Sequence, residues 1–237
     1  MNFITEWIDK NCYPQYSKNW DDKLFRNVIC SNLTSDMTIL DLGAGAGIIE
    51  AMNFRGQVTR VCGVDLDPRV INNAFLDEGV ISNAEEIPYP DSSFDIVFCD
   101  NVLEHLDNPL EVFKEIHRVL KPSGLFMFKT PNKWHYIPII ASITPHSFHK
   151  FVNRLRGRAE TNTFPTIYKS NTKLDIIKLS KESGFSVVKI ERLEGRPEYL
   201  RINPLTYFAG MLYEQIVNLF DMFAPLRILL IGVLQRV

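Results

Sequence analysis

Three glycines two residues apart, in Gly43-Ala44-Gly45-Ala46-Gly47, follow directly on Ile39-Leu40-Asp41-Leu42. Glycine admits positive φ and lets a ligand approach the main chain with no Cβ between them, so the spacing describes a loop suited to close contact. Asp65 lies 22 residues beyond Gly43, where a carboxylate closing a second strand can accept from both hydroxyls of a ribose. The dinucleotide fingerprint would be G-x-G-x-x-G, but here the third glycine comes one position early, at Gly47. A ribose-bearing ligand is therefore expected, and a pyrophosphate is not required.

The elements that must hold these residues are readable from apolar patterning. Thr38–Leu42, Val58–Val64, Phe94–Cys99 and Gly124–Lys129 are short, rich in β-branched or aromatic residues, and read as buried strands. The glycines then open a short helix through Ile48 to Asn53 at the carboxyl edge of the first strand. Between the third and fourth strands, Asn108 is placed as an N-cap with Pro109 at the first helical position. Leu110, Phe113, Ile116, Val119 and Leu120 recur at helix spacing, and Lys121-Pro122-Ser123-Gly124 stops the helix. Repeated strand, helix, strand order argues for a parallel sheet with right-handed crossovers. Later, Asn171–Ser183 reads as helix capped by Gly184. Phe185–Ile190 and Tyr199–Ile202 are expected to pair as a closing hairpin around Glu194-Gly195-Arg196-Pro197.

At 237 residues and 46% apolar, the chain has enough material for one full core, so residues 1–237 are expected to form a single domain. Cys12, Cys30, Cys62 and Cys99 contain no C-x-x-C pair, which disfavours a zinc site or disulfide framework and points to a reducing compartment. Glu6, Asp9 and Lys10 interrupt the region where a signal peptide would be apolar. No apolar run reaches the ~20 residues that span a bilayer. A cytoplasmic protein is expected, free or peripheral to a membrane.

With the elements placed, five stretches fall into a recognisable order: Asp41-Leu-Gly-Ala-Gly-Ala-Gly47, Gly63-Val-Asp-Leu-Asp-Pro68, Asn83-Ala-Glu-Glu-Ile-Pro88, Phe94-Asp-Ile-Val-Phe-Cys-Asp100 and Leu120-Lys-Pro-Ser-Gly124. In order and spacing they resemble the motifs of class I S-adenosylmethionine-dependent methyltransferases, most closely the small-molecule, type 11 subgroup that includes ubiquinone and sterol methyltransferases. The resemblance implies a Rossmann-like, doubly wound α/β fold with a mostly parallel seven-stranded sheet and a C-terminal antiparallel hairpin. It implies S-adenosyl-L-methionine as cofactor and S-adenosyl-L-homocysteine as its product.

The same resemblance assigns roles. Gly43, Ala44, Gly45 and Gly47 would lie against the methionyl and ribose portions, and Asp41 would orient the loop or meet the cofactor amino group. Asp65 would take the ribose hydroxyls, and Leu66 would lie against the adenine. Asn83 stands where the family usually has Asp and can still accept from the adenine amino group through its carbonyl oxygen, with the backbone N–H of Ala84 meeting a ring nitrogen. Asp100 and Asn101 would border the methionine end and the transferred methyl. His105 sits where the family often has a histidine and is the candidate general base, although a histidine opening a helix is more often packing or capping. His117 and the Glu85/Glu86 pair read as structural or solvated.

Methyl transfer from a sulfonium mainly requires alignment, and a base is needed only if the acceptor carries a proton that must leave. Besides His105, the side chains able to act so are Glu104, His135, His146 and His149. After the fourth strand the residues are Asp100-Asn101-Val102-Leu103 rather than Asn/Asp-Pro-Pro-aromatic, which disfavours DNA-adenine and glutamine acceptors.

Charge is unevenly placed. Residues 1–128 hold 10 Lys/Arg against 20 Asp/Glu, residues 129–173 hold 8 against 1, and residues 174–237 hold 8 against 7. The basic stretch falls where this family inserts substrate-covering elements, so 131–171 is expected to be a basic insertion. A solvated basic helix and loop would explain it equally; alternatively His135, His146, His149, Arg154, Arg156 and Arg158 would face an anionic acceptor or lipid surface. Residues 203–237, with the uncharged stretches Ile202–Tyr213 and Ile228–Leu234, are expected to form an apolar helical extension, as core, dimer contact or interfacial helices. The combined expectation is methyl transfer, to oxygen or carbon, onto a small or lipid- or glycan-linked anionic acceptor. No metal is expected, DNA is not expected as a partner, and a membrane surface is a candidate one. A non-catalytic S-adenosylmethionine-binding or membrane-associated scaffold is the main alternative. An NAD-dependent enzyme or an RNA methyltransferase is less favoured.

Overall fold

In the computed structural model of the chain, residues 3–16, 19–143 and 166–237 are described. Seven strands, β1 (Thr38–Leu42), β2 (Arg60–Asp65), β3 (Glu78–Ile81), β4 (Phe94–Asp100), β5 (Leu120–Pro131), β6 (Phe185–Leu193) and β7 (Leu229–Arg236), form one sheet in the order β3-β2-β1-β4-β5-β7-β6. β3, β2, β1, β4 and β5 are mutually parallel, and the C-terminal strands supply the antiparallel pairing, so the Rossmann-like mixed sheet is the observed fold class. The helices are α1 (Phe3–Cys12), α2 (Trp20–Cys30), α3 (Pro109–Val119), α4 (Tyr136–Ile143), α5 (Lys173–Glu182) and α6 (Pro204–Leu219).

The described residues gather into two compact units. One comprises Asp21–Thr130, Ile167–Glu191 and Leu230–Val237 and contains nearly all of the sheet; the other is drawn from Met1–Trp20, Pro131–Thr166 and Arg192–Leu229. In the sheet unit, α3 buries Val112, Phe113, Ile116 and Val119. Phe113 meets Phe126 and Phe185 edge-on, with ring centroids 5.4 and 6.4 Å apart. A side chain of this kind, fully buried, contributes roughly 1.5–3 kcal/mol. Asn108 occupies the N-cap position but does not cap with its side chain; its Nδ2 donates to Glu85 at 3.1 Å. α5 is followed by Gly184 at φ +83°, as its sequence suggests, and is capped at its start by Thr172, whose Oγ1 accepts from Asp175 N at 3.0 Å.

The other unit centres on Ile8, Tyr13 and Tyr207 from α1, the turn after it, and α6. Tyr207 Oη donates to Asp9 at 2.6 Å, and Arg196 and Arg201 pair with the same carboxylate. A capping box between Asn203 and Thr206, with Pro204 at the first turn, starts α6.

Three local expectations are corrected. Ile48–Asn53 makes only a 3-10 turn over Glu50–Met52, with Met52 and Asn53 N–H bonding three residues back to Ile49 and Glu50 carbonyls at 2.8 and 3.1 Å, and Arg26 taking the carbonyls of Ala51 and Asn53 at 2.6 and 2.9 Å so that the helix goes no further. Tyr199–Ile202 is not a strand; Glu198–Leu200 is a 3-10 turn, and the C-terminal pairing uses β7 instead. Residues 229–236, expected as helix, form that strand, with Leu229–Leu234 buried. An uninterrupted short apolar run fits a strand covered on both faces as well as a helix, and only its sheet neighbours decide.

Candidate functional site

β1 connects towards β2 and β3, whereas β4 connects towards β5, so the strand order reverses between β1 and β4. Ligands of open α/β sheets bind in the crevice outside the carboxyl ends of such strands. Leu42 ends β1 and Asp100 ends β4, and the residues singled out by sequence collect around these two points.

The glycine loop turns sharply off β1. Gly43, Gly45 and Gly47 have φ of +86°, +50° and +68°, a region side-chain-bearing residues rarely adopt. Gly43 N–H donates to Val64 O at 2.8 Å and Ala44 N–H to the same carbonyl at 3.3 Å. A Cβ at Gly43 would stand 2.3 Å from Val102 Cγ2, and one at Gly47 would stand 2.2 Å from Asn73 Oδ1. At Gly45 the nearest atom would be Asp65 Oδ2, at 3.8 Å, so beside the middle glycine only the Asp65 carboxylate stands, at ordinary contact distance. Asn73, itself buried, donates through Nδ2 to the carbonyls of Ala44 and Gly45 at 3.0 and 3.2 Å and accepts from Phe75 N–H at 2.9 Å. It pins the loop, and sequence reasoning missed it, since an asparagine after a helix start carries no distinctive pattern.

Asp65 bridges the loop and its own strand end. Oδ2 accepts from Gly45 N–H at 2.7 Å and Oδ1 from Asp67 N–H at 2.8 Å. Each carboxylate oxygen can take about two donors, so both keep capacity. The backbone carbonyl of Asp65 receives Ser82 N–H at 3.1 Å, which brings the Asn83 turn beside it. Asn83 is exposed; its Oδ1 accepts from Glu85 N–H at 3.2 Å, while Ala84 is partly buried against the core. Leu66 stands exposed next to Asp65.

Beneath the crevice, carboxylates crowd together. Burial, then the nearby Asp100 and Asp65, hold the Asp41 carboxyl well above the usual range. Burial likewise pushes Asp100 up to about 7, against the pull of Lys129. Lys129, at 0% exposure, is the buried hub: its Nζ lies 2.9 Å from Asp100 Oδ1 and 3.1 Å from Asp21 Oδ2 and also donates to Asp22. Burial opposes the lysine charge, but the three carboxylates outweigh it and keep the ammonium protonated. A lysine is almost never fully buried unpaired. Sequence reasoning missed it, because a lysine ending an apolar strand stretch looks like an ordinary exposed end.

Past β4, Asn101 takes φ +55° and donates through Nδ2 to Asp100 Oδ1 at 2.8 Å. Glu104 is buried, which raises its carboxyl to about 7, and accepts from Thr130 Oγ1 at 2.9 Å. His105 Nε2 lies 4.0 Å from Glu104 Oε1. The chain returns here after residue 165: Ile167 N–H donates to Glu104 O at 2.7 Å and Ser170 Oγ to Leu103 O at 2.8 Å.

The structure thus brings Asp41, Gly43, Ala44, Gly45, Gly47, Asp65, Leu66, Asn83, Ala84, Asp100, Asn101 and His105 into one unit. It places His135 elsewhere. That imidazole is buried in the other unit, 4.0 Å from Tyr136 and 5.5 Å from Tyr213 between ring centroids, with Ile137 N–H donating to its Nδ1 at 3.2 Å. Burial lowers its pKa to about 3 and raises that of Glu194, whose Oε2 is 3.5 Å from His135 Nε2, to about 8. His135 is thus a buried residue of that unit, enclosed among aromatic rings. His146, His149, Arg154, Arg156 and Arg158 lie outside the described residues.

Comparison with known proteins agrees with this geometry. Residues 40–128 match the methyltransferase domain family. A ubiquinone biosynthesis O-methyltransferase of Colwellia psychrerythraea is 34% identical over 108 residues, 41% of this chain and 43% of that protein. A ubiquinone/menaquinone biosynthesis C-methyltransferase of Vibrio vulnificus is 29% identical over 132 residues, 51% of each. The chain spans about half the length of the curated relatives it matches. Among solved structures, an S-adenosylmethionine-dependent methyltransferase of Mesorhizobium loti superposes with a TM-score of 0.60 at 15% identity, covering 89% of this chain and 96% of that one. With the ordered motifs, the strand order and the domain match in agreement, residues 40–128 form a methyltransferase domain of the type 11 group, the stretch in which the chain resembles class I S-adenosylmethionine-dependent methyltransferases.

Proposed function

We propose that this chain transfers the methyl group of S-adenosyl-L-methionine to a small-molecule acceptor. The observation that carries the reading is Asp65, set against the glycine loop at the point where the strand order reverses. The residues fit the cofactor: Asp65 keeps unused acceptor capacity on both oxygens, Gly45 presents no Cβ to a ligand, and buried carboxylates at Asp41 and Asp100 suit a cationic methionyl end.

The bound cofactor supplies an electrophilic methyl on a sulfonium with a good leaving group. The chain's part is to orient: the Gly43–Gly47 loop and Asp65 hold the ribose, Leu66, Asn83 and Ala84 flank the adenine, and Asp41, Asp100 and Asn101 border the methionyl end. Bound there, the cofactor would supply its methyl to an acceptor atom by in-line displacement, and what the chain contributes is the alignment. For a hydroxyl acceptor, His105 is the base proposed to receive the proton. Relatives named for O- and for C-methylation both match, so the two outcomes are decided by assay. Calorimetric titration with S-adenosyl-L-homocysteine is expected to give micromolar-range binding, with no heat from NAD. Binding without turnover across a broad acceptor panel would favour a scaffold, and NAD binding would overturn the reading.

A lipid- or glycan-linked, anionic acceptor is the finer proposal. Its basic side, Arg154, Arg156, Arg158, His146 and His149, rests on sequence alone. Its apolar side is supported by α6, where Leu205, Phe208, Leu212 and Leu219 are all exposed and fall on one helical face. Among the described residues no helix is long and apolar enough to cross a membrane. Flotation with phosphatidylglycerol vesicles is expected to recover the protein and to fall several-fold in a Leu205→Ser/Leu212→Ser variant. Equal recovery of the two proteins would remove the lipid surface from the proposal.

A further inference from the structure

Asp100 is supplied with donors on one side only. Its Oδ1 takes Lys129 Nζ at 2.9 Å and Asn101 Nδ2 at 2.8 Å. Its Oδ2 is buried with no hydrogen-bond partner, although a carboxylate has room for about four donors. Leaving a buried acceptor unmade is costly, so a fold that does this at the end of β4 has left a place for a donor from outside the chain. The second unusual feature is Lys129 itself. Fully enclosed, it joins three carboxylates from two elements: Asp100 on β4, and Asp21 and Asp22 in the first turn of α2. Asp41, on the neighbouring β1, adds a fourth acidic group facing the same region. With Lys129 and Asn101 both held on Oδ1 and Oδ2 left open, Asp100 is oriented to take one more donor, and the class that fits is a primary ammonium.

Resting on the methyltransferase reading, we propose that Lys129 is a positioning residue for the methionyl ammonium of the cofactor. It fixes the Asp100 carboxylate from inside the sheet, while Asp21 and Asp22 fix Lys129. The N-terminal turn of α2, outside the stretch matched by the domain family at residues 40–128, thereby becomes part of the methionyl subsite. Lys129 does not touch the cofactor and acts only through Asp100.

The test compares two ligands that share the adenosine portion. S-adenosyl-L-homocysteine carries the amino-acid end with its ammonium; 5′-methylthioadenosine lacks it. In the full chain, Lys129→Met is expected to weaken the former roughly 10- to 100-fold, the range of one charge-assisted hydrogen bond, while methylthioadenosine binding changes less than about threefold. Lys129→Arg is expected to restore part of the difference. Should Lys129→Met fail to fold, Asp22→Asn, which keeps the lysine, is the variant to read, with the same ligand split at smaller size. Equal weakening of both ligands would mean that Lys129 merely supports the fold, and no change in either would mean that it does nothing for the site; each overturns the inference while leaving the cofactor assignment intact. If the unmodified chain binds neither ligand, the methyltransferase reading itself fails and the inference falls with it.

Discussion

Asp65→Ala is expected to weaken S-adenosyl-L-homocysteine binding by about 100-fold or more and to abolish turnover. The estimate follows from two charge-assisted hydrogen bonds to a ribose, each worth about 1.5–3 kcal/mol. The variant also leaves the N–H groups of Gly45 and Asp67, which donate to the carboxylate at 2.7 and 2.8 Å, without their acceptor. Asp65→Asn separates the two contributions. Its one carbonyl oxygen still accepts, so it should retain more of the loop order than alanine, yet it carries no charge for the hydroxyls. Calorimetry on the wild type and both variants, with thermal unfolding to confirm that each is folded, reads the difference. An alanine variant that binds with wild-type affinity would remove Asp65 from the ribose site and with it the main support for the proposed function.

Gly47→Ala carries the second-largest expected effect, through the backbone and not through a lost contact. At φ +68° an L-residue costs roughly 1–2 kcal/mol, and the new Cβ would sit 2.2 Å from Asn73 Oδ1 and 2.8 Å from its Cγ. Asn73 cannot yield without giving up its bonds to Ala44, Gly45 and Phe75. The loop should therefore lose both its shape and its pin, with about tenfold or greater loss of cofactor affinity and a lower unfolding midpoint, about 1.4 kcal/mol corresponding to each factor of ten. Combining it with Asn73→Ala distinguishes clash from conformation. If steric conflict dominates, the double variant is less impaired than the sum of the two single ones, and a purely additive result would assign the loss to the positive φ alone.

Local chemistry carried much of the site. Glycine at alternate positions, an aspartate closing the next strand, and a second aspartate ending β4 are features each residue type displays by itself, and the structure places all of them at the carboxyl edge of the sheet. The central strands were legible for the same reason: short β-branched and aromatic runs bounded by turns leave few alternatives. The C-terminal strand was not. Leu229–Arg236 has no alternation that separates strand from helix, and its state depends on which edge of the sheet is free to receive it. The expected hairpin through Tyr199–Ile202 failed because Arg196 and Arg201 turn to Asp9 of α1, a partner more than 180 residues away in sequence.

The histidines mark the boundary most clearly. Sequence offered both His105 and His135 as bases, preferring His105 only through the family resemblance, since an imidazole looks alike anywhere in a chain. Only packing sent one to a partly exposed turn after β4 and the other into an aromatic core where burial removes its charge. Lys129 repeats the lesson in the other direction: a lysine ending an apolar strand reads as an ordinary exposed end until three carboxylates close around it. By itself the sequence determined the fold class and the glycine loop, because these follow from local backbone freedom and hydrophobic period, while the methyltransferase reading and the role proposed for Asp65 on the cofactor ribose came from the resemblance of its ordered motifs to a known family. Which polar side chains are buried, what neutralises them, and how the first turn of α2 meets Lys129 were decided by the tertiary structure, because burial and electrostatics belong to neighbours that the chain brings together only by folding.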